Sequence, residues 1–273
     1  MLTVSELFIY PVKSLGGIAL DSAALTDRGF AYDRRWMLVD TNNRFISQRE
    51  YPSLALLQAR LSAGSLHIFH KTNLRQSIDV PLAPPAAETM MAGVWDDWCA
   101  VQPVSSEADE WLSEILSMNC RLVYMPEESH RKVDKRYAAN DEITSLSDGY
   151  PVLMIGQASL DDLNRRMAQP LPMNRFRPNI VFTGGEAFEE DTMAHFRIGG
   201  IDFYSVKPCA RCVMTTINQE TASGAKEPLK TLAGYRGVNN KILFGQNILY
   251  RGSGVVRVGD RMEVMGRKPS IQF

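Results

Sequence analysis

The chain has 273 residues, of which 45% are hydrophobic and 22% are charged, and its formal net charge is −1. These values are typical of one large globular domain or two closely packed ones. Because the protein as a whole is not basic, its net charge argues against a protein that binds nucleic acid or a membrane surface. A local basic site is still allowed. No stretch reaches the ~20 apolar residues that span a bilayer, and the first residues lack the pattern of a signal peptide. We therefore expect a cytoplasmic protein with no membrane span and no nucleic-acid partner.

The first predicted strand covers residues 3–12 and leads into a loop that contains Lys13, Ser14, Gly16 and Gly17. An ammonium group, a hydroxyl and closely approaching backbone amides would suit a phosphate. The loop is not a P-loop, because the Walker spacing of glycines is absent and a strand is predicted to follow. Two interpretations stay open on these residues alone: an ordinary hairpin turn, which is the simpler one, and an anion site.

Two more basic clusters stand where predicted strands begin. Arg34 and Arg35 precede one strand, and Arg175 and Arg177 precede another at residues 180–183. Taken singly, each cluster is typical of an exposed, charged strand end. An arginine fork also suits a phosphate or a carboxylate. Three basic clusters in one acid-balanced protein together favour an anion-binding site.

Short helices interrupt an otherwise strand-rich pattern. They are predicted at residues 106–118, 159–167 and 226–232. Ser106 with Asp109 is predicted to cap the first helix, and Ser159 is predicted to be the N-cap of the second. The first helix is expected to close a first domain near residue 120. The remaining pattern predicts short strands, and hence an α+β fold that is predominantly β.

The segment with the most chemical character contains two thiols, Cys209 and Cys212, beside the cations Lys207 and Arg211. A cation near a thiol favours the thiolate, which acts as a nucleophile or a metal ligand. The thiols are predicted to lie on a loop between two strands, the second of them at residues 213–217. That setting differs from a thioredoxin-type motif, which opens a helix.

Alternative roles for this thiol pair stay open at this point. A structural zinc site would need two more ligands, and Cys99, Cys120 and the four histidines lack paired spacing. Dithiol redox chemistry through Cys209 and Cys212 is a second alternative. A thiolate ligand for a soft metal is a third.

Six short motifs follow one another along the chain. They are Tyr10-Pro11-Val12-Lys13-Ser14, Asp33-Arg34-Arg35-Trp36, Phe176-Arg177-Pro178-Asn179-Ile180, Cys209-Ala210-Arg211-Cys212-Val213-Met214-Thr215-Thr216, Lys226-Glu227-Pro228-Leu229 and Val258-Gly259-Asp260. In this order they make the chain resemble MOSC-domain proteins of the YcbX and mitochondrial amidoxime-reducing component type. The resemblance spans nearly the whole chain. It implies a two-domain, β-barrel-containing architecture with a few short helices: an N-terminal MOSC-associated β-barrel domain at residues 1–120 and a MOSC domain at residues 121–273.

The same resemblance implies a molybdenum cofactor, Mo-molybdopterin, with the Cys212 thiolate as metal ligand and catalytic residue. It implies cofactor contacts from residues at nine positions: Lys13, Ser14, Arg34, Asp148, Gly149, Arg177, Ala210, Arg211 and Cys212. Ala210 stands where relatives often carry serine, so only a backbone contact would remain there.

The activity that the resemblance implies is the reduction of small N-hydroxylated compounds, namely amidoximes, hydroxylamines and N-hydroxylated bases, with a role in detoxification. The alternative is a non-catalytic sulfur or molybdenum-cofactor carrier that uses Cys212. The four cysteines do not show ferredoxin spacing. Electrons are therefore expected from a separate ferredoxin-like or cytochrome-type protein with a flavin reductase.

Overall fold

The computed structural model describes residues 1–273, with twenty β-strands and three short α-helices. The strands are β1 (Leu2–Ile9), β2 (Ile18–Leu20), β3 (Ser22–Leu25), β4 (Trp36–Val39), β5 (Leu57–Ser62), β6 (Ser65–His70), β7 (Asn73–Pro81), β8 (Met90–Val94), β9 (Asp97–Pro103), β10 (Arg121–Tyr124), β11 (Arg131–Lys132), β12 (Ile143–Thr144), β13 (Val152–Gly156), β14 (Ile180–Thr183), β15 (Met193–Ile198), β16 (Ile201–Arg211), β17 (Gly237–Val238), β18 (Lys241–Arg251), β19 (Gly254–Arg257) and β20 (Arg261–Arg267). The helices are α1 (Ser106–Leu116), α2 (Gln157–Arg165) and α3 (Leu229–Ala233). The predicted α+β, predominantly β fold is confirmed.

The largest sheet closes on itself. Its strand order is β13-β14-β1-β20-β15-β16-β18-β17, and β13 also pairs with β18, which makes a barrel of seven strands. All of these pairings are antiparallel except β13 with β14. The first strand of the chain, β1, lies in this barrel between β14 and β20. The loop that follows β1 is therefore anchored to strands from the C-terminal half.

The inside of the barrel explains its stability. Val4 and Ile9 are among the buried residues of β1, which alternate with less buried ones except across a β-bulge between Val4 and Glu6. They join a cluster of 19 buried residues with Phe182, Phe196 and Phe203. Each fully buried side chain of this size contributes about 2 kcal/mol through the hydrophobic effect. A slip of one residue in strand register would turn these side chains outward, so the cluster also fixes the register.

The N-terminal half adds two smaller sheets, β5-β6-β7 and β4-β10-β9-β8. They enclose a second core of 16 buried residues, in which Trp36 is fully buried beside Leu57, Ile68 and Leu112 of α1. Strand β10, which begins at Arg121, pairs with β4 and β9 of this half. The domain division at residue 120 stays a prediction.

The helix starts correct the sequence interpretation. The N-cap of α1 is Ser105, whose hydroxyl accepts a hydrogen bond from the Ala108 amide at 3.1 Å, so the prediction of Ser106 was wrong. The predicted cap Ser159 lies inside α2 and donates a hydrogen bond to buried Glu190 at 2.8 Å. At α1 the hydroxyl one residue earlier makes the cap, whereas at α2 a tertiary contact with Glu190 takes the predicted capping hydroxyl. None of the three helices is both long and apolar enough to cross a membrane.

The segment after Cys212 also differs from its prediction. Val213–Thr216 forms a 3-10 turn instead of a strand. The Thr215 hydroxyl donates to the Cys212 carbonyl at 3.0 Å, and the Thr216 hydroxyl donates to the Val213 carbonyl at 2.7 Å. Threonine side chains that bond back to the preceding turn give the backbone an alternative to the strand ladder.

Candidate active site

A cleft with about 880 Å³ of space, including its open mouth, lies at one end of the barrel. Five separate segments of the chain line it with all nine residues that the sequence analysis assigned to the site: Lys13, Ser14, Arg34, Asp148, Gly149, Arg177, Ala210, Arg211 and Cys212. Four of these segments are loops next to strands of the barrel and of β4, and the fifth is the end of β16 with Cys212 directly after it. The structure brings the assigned residues together, while their individual roles stay predictions.

Lys13 enters the cleft from the loop after β1. Its side chain is 6% exposed, and its ammonium lies 2.6 Å from Asp148 Oδ1 and 5.1 Å from the Phe45 ring centroid. Burial lowers the pKa of Lys13 to about 8, although the Asp148 carboxylate opposes that shift. The same carboxylate oxygen accepts a hydrogen bond from Trp95 Nε1 at 3.2 Å. Lys13 is therefore a buried cation whose charge depends on a nearby anion.

Arg34 and Arg177 share one aromatic support. Their guanidinium carbons lie 4.3 and 4.2 Å from the centroid of the buried Tyr10 ring. Arg34 also pairs with Asp33 at 2.6 Å, and Arg177 donates to the Leu15 carbonyl at 2.6 Å. Burial lowers the pKa of Arg177 to about 10, so its guanidinium group stays charged at neutral pH.

Three of the assigned residues have left-handed backbones. The φ angles are 71° at Ser14, 49° at Arg34 and 55° at Arg177. Residues other than glycine rarely adopt this conformation, and it costs on the order of 1 kcal/mol or more at each position. The surrounding structure holds Ser14 through Gln48, which is fully buried and donates to the Ser14 carbonyl at 2.5 Å. Such strain clusters at functional sites.

The two thiols lie at the end of β16. Cys209 and Cys212 are both free and half-buried. Arg211 donates from Nη1 to Cys209 Sγ at 2.9 Å and from Nη2 to the Phe176 carbonyl at 2.6 Å. The cation expected beside the thiols thus contacts Cys209. Its third nitrogen, Nε, is buried and has no hydrogen-bond partner.

Lys207, the other cation expected beside the thiols, points elsewhere. Its ammonium lies 4.8 Å from the Tyr137 ring centroid and 5.6 Å from that of Tyr150. Arg35 also leaves the site, since it donates to the Met125 carbonyl at 2.6 Å and pairs with Glu127 at 2.9 Å. The charged groups of Lys207 and Arg35 therefore contact other parts of the protein and not the two thiols.

The cleft is strongly basic. It is lined by six cationic side chains and a single carboxylate, Asp148; the cations are Lys13, Arg34, Arg49, Arg175, Arg177 and Arg211. The chain as a whole carries a formal charge of −1. This concentration of positive charge raises the local affinity for anions. The three basic clusters of the sequence meet in this one cleft.

Sequence reasoning missed two side chains at the cleft mouth. Arg49 occurs in a polar stretch that carries no motif, and the sequence around Trp95 predicts only packing within a strand. Trp95 instead has a left-handed backbone with φ 57° and lines the cleft. Its tryptophan-rich surroundings gave no signal for this position, because the neighbours that orient it lie far away in the chain.

No group of three or more His, Cys, Asp or Glu side chains is arranged to hold a metal ion. A metal at Cys212 would therefore need most of its ligands from a cofactor. This requirement agrees with a cleft that combines an unbonded thiol with many cations.

Comparison with known proteins gives two family matches. Residues 141–263 match the MOSC domain, and residues 1–119 match the MOSC N-terminal beta barrel domain. Mitochondrial amidoxime-reducing component 1 of Mus musculus is 30% identical over 97% of this chain and 83% of its own. Mitochondrial amidoxime reducing component 2 of Bos taurus is 33% identical over 86% of this chain and 72% of its own. Molybdenum cofactor sulfurase of Oryza sativa subsp. japonica is 30% identical over 97% of this chain but 34% of its own.

Proposed function

The chain belongs to the family of MOSC-domain proteins, and from that premise we propose that it is a molybdenum-dependent reductase of N-hydroxylated compounds. Family membership points to a molybdenum cofactor, in agreement with the six motifs. The observation that supports the proposal best is the meeting of all nine assigned residues in one basic, thiol-containing cleft.

The residues of the cleft fit an anionic cofactor that is bound through sulfur. The buried Arg211 Nε lacks a partner, and an unpaired buried donor is costly unless a ligand accepts from it. Cys212 offers a soft thiolate, the ligand type that suits a metal already held by sulfur. Both groups would be satisfied by the same occupant.

In this proposal the basic side chains bind and orient the cofactor. Lys13, Arg34 and Arg177 would hold its phosphate, because charge-assisted hydrogen bonds from ammonium and guanidinium groups are strong. Ser14 would add its hydroxyl and backbone amide. Asp148 would keep Lys13 in place through its 2.6 Å contact. The Cys212 thiolate would ligate the metal, and the half-buried position of Cys212 would limit access of water.

When bound, the molybdenum cofactor supplies the two-electron chemistry that converts an N–OH group to N–H with two protons and release of water. The protein would position the substrate beside Cys212. Electrons would come from a separate ferredoxin-like or cytochrome-type protein with a flavin reductase. A location in the cytoplasm and a role in detoxification stay predictions.

The test compares the wild-type protein with Cys212→Ser, each made in a host that produces the cofactor. Molybdenum and released pterin are measured, and reduction of an N-hydroxylated base is assayed with a chemical electron donor. We expect stoichiometric metal and turnover in the wild type and the loss of both in Cys212→Ser. Cys209→Ser, the matched control, should keep its metal. Loss of metal in Cys209→Ser alone would contradict the assignment of Cys212.

The likeness to the rice sulfurase favours a second candidate function. In that alternative the chain is a non-catalytic carrier of sulfur or of the molybdenum cofactor and uses Cys212. Metal without turnover, or a persulfide on Cys212, would support the carrier. Turnover that depends on Cys212 would exclude it.

A further inference from the structure

Arg49 differs from the other five cations of the cleft. Each of those five already has a protein acceptor: Asp148 for Lys13, Asp33 for Arg34, the Thr215 carbonyl for Arg175, the Leu15 carbonyl for Arg177 and the Phe176 carbonyl for Arg211. The guanidinium of Arg49 is exposed and forms no hydrogen bond or ion pair with the protein, although it lines the cleft. All five of its N–H donors remain open to a ligand.

The guanidinium of Arg49 is nevertheless held in place. Its central carbon lies 4.2 Å from the centroid of a Trp95 ring. Trp95 is itself fixed, because its Nε1 donates to Asp148 at 3.2 Å and its ring meets Phe45 edge-on at 4.5 Å. A guanidinium stacked on an aromatic face keeps its donors free along its edge. Arg49 is thus preorganised as a donor.

The backbone that carries Arg49 is also anchored to the site. The preceding residue, Gln48, is fully buried and donates to the Ser14 carbonyl at 2.5 Å. Gln48 also accepts a hydrogen bond from Gln219 at 3.0 Å. The backbone that carries Arg49 is therefore tied to the Lys13–Ser14 loop through Gln48.

The position of Arg49 in the cleft indicates which ligand it would contact. The cations assigned to the cofactor are largely buried, with 6% of the Lys13 side chain and 12% of the Arg34 side chain exposed. Arg49 is exposed at the mouth, where a molecule arriving from solvent makes contact first. The one carboxylate of the cleft, Asp148, is engaged by Lys13 and Trp95, which reduces its repulsion of an incoming anion.

We propose that Arg49 is a substrate-binding residue that gives the enzyme a preference for N-hydroxylated compounds bearing a phosphate or a carboxylate. This proposal rests on the proposed reductase function and adds a substrate class to it. An exposed, charge-assisted contact of this kind would favour the anionic substrate about tenfold over its uncharged counterpart.

The test uses the molybdenum-loaded protein and two substrates, an N-hydroxylated purine ribonucleoside and its 5′-monophosphate. For the wild type we expect kcat/KM to be about tenfold higher for the monophosphate, mainly through a lower KM. Arg49→Gln should bring the ratio of the two kcat/KM values close to one, and Arg49→Lys should restore part of it. Arg60→Gln is the matched control, because Arg60 is also exposed and stacked, 5.5 Å from Phe69, but lies outside the cleft.

Equal ratios for wild type and Arg49→Gln would overturn the proposal while leaving the reductase function intact. Loss of molybdenum from Arg49→Gln would also overturn it, since Arg49 would then belong to the cofactor. If neither compound is reduced, a binding measurement still tests the role of Arg49 separately from the reductase function. Calorimetric binding of adenosine monophosphate to the loaded protein should be about tenfold weaker in Arg49→Gln, and equal binding would overturn the proposal.

Discussion

Tyr10 shows how one buried residue can organise a charged site. Two guanidinium groups lie within 4.3 Å of its ring centroid, and its hydroxyl donates to the Pro178 carbonyl at 3.1 Å. The two like charges repel each other, but the electron-rich ring attracts both. The ring thus lets Arg34 and Arg177 stay close together before any anion is bound.

Replacing Tyr10 by leucine should therefore weaken cofactor retention. We expect Tyr10→Leu to lose molybdenum several times faster than the wild type during dialysis, because each desolvated cation–π contact is worth about 2 kcal/mol. Tyr10→Phe keeps the ring and should retain most of the metal. Phe30→Leu, a change at another fully buried ring, controls for lost packing. Equal metal loss in Tyr10→Leu and Phe30→Leu would contradict this role of the ring.

At the scale of elements, the strands were easier to predict than the ends of helices. β1 and β14 were predicted correctly because their apolar residues are buried in the barrel, and burial leaves a pattern in the sequence. The residue at which a helix begins depends on which hydroxyl group accepts a hydrogen bond from an amide of the first turn. Ser105 and Ser106 are neighbours of the same type, so no local rule separates them.

The corrected cap of α1 gives a direct comparison. Ser105→Ala removes the hydroxyl that accepts from the Ala108 amide, and it should lower the free energy of unfolding by about 1 kcal/mol. Ser106→Ala, one residue later on the exposed first turn, should change it by less than about 0.5 kcal/mol. Urea denaturation measures both. The opposite order would restore Ser106 as the cap.

Glu190 connects α2 to the barrel. It is fully buried, and its carboxylate accepts from the Gly156 amide at 3.2 Å and the Ser159 hydroxyl at 2.8 Å. Burial raises the pKa of Glu190 to about 7, from an ordinary value of 4.5. Between these two pH values the folded protein binds more protons than the unfolded chain, so this contribution to stability falls as pH rises.

Glu190→Gln should remove that pH dependence. Relative to the variant, the wild type should lose roughly 3 kcal/mol of unfolding free energy between pH 4.5 and pH 7.5. Glu186→Gln is the control, because Glu186 is exposed nearby. Denaturation curves across this pH range test the prediction. A wild type and a Glu190→Gln variant with parallel pH profiles would show that the carboxyl titrates normally.

The whole molecule is required to build the cleft. Lys13 and Asp148 are 135 positions apart in sequence, yet they meet because β1 inserts into the barrel beside β14. Lys71 donates to the Gln219 carbonyl at 2.6 Å and adds another contact between distant segments. The motifs supplied the site residues in this case. The packing partners Tyr10, Gln48 and Trp95 became apparent only when the fold placed them beside those residues.

The charge of the cleft leads to a prediction for the whole chain. Without an anionic occupant, the cleft lining has six cations and one carboxylate, and only Arg34 has a further carboxylate partner, Asp33, so repulsion among the cations should destabilise the fold. Salt screens such repulsion over a distance of about 10 Å at 0.1 M. The melting temperature of the cofactor-free protein should therefore rise by several degrees between 0.02 and 0.3 M sodium chloride.

The cofactor-loaded protein should respond less to salt, because a bound anion already compensates the charge and also stabilises the fold by binding to it. Scanning calorimetry of both forms at several salt concentrations makes the comparison. In the cofactor-free protein, Arg177→Gln should reduce the salt response, since it removes one of the buried cations. If the melting temperatures of both forms rise in parallel with salt concentration, repulsion among the cleft cations contributes little to the stability of the fold. Only a difference between the two forms assigns the effect to the cleft, because surface charges elsewhere are common to both.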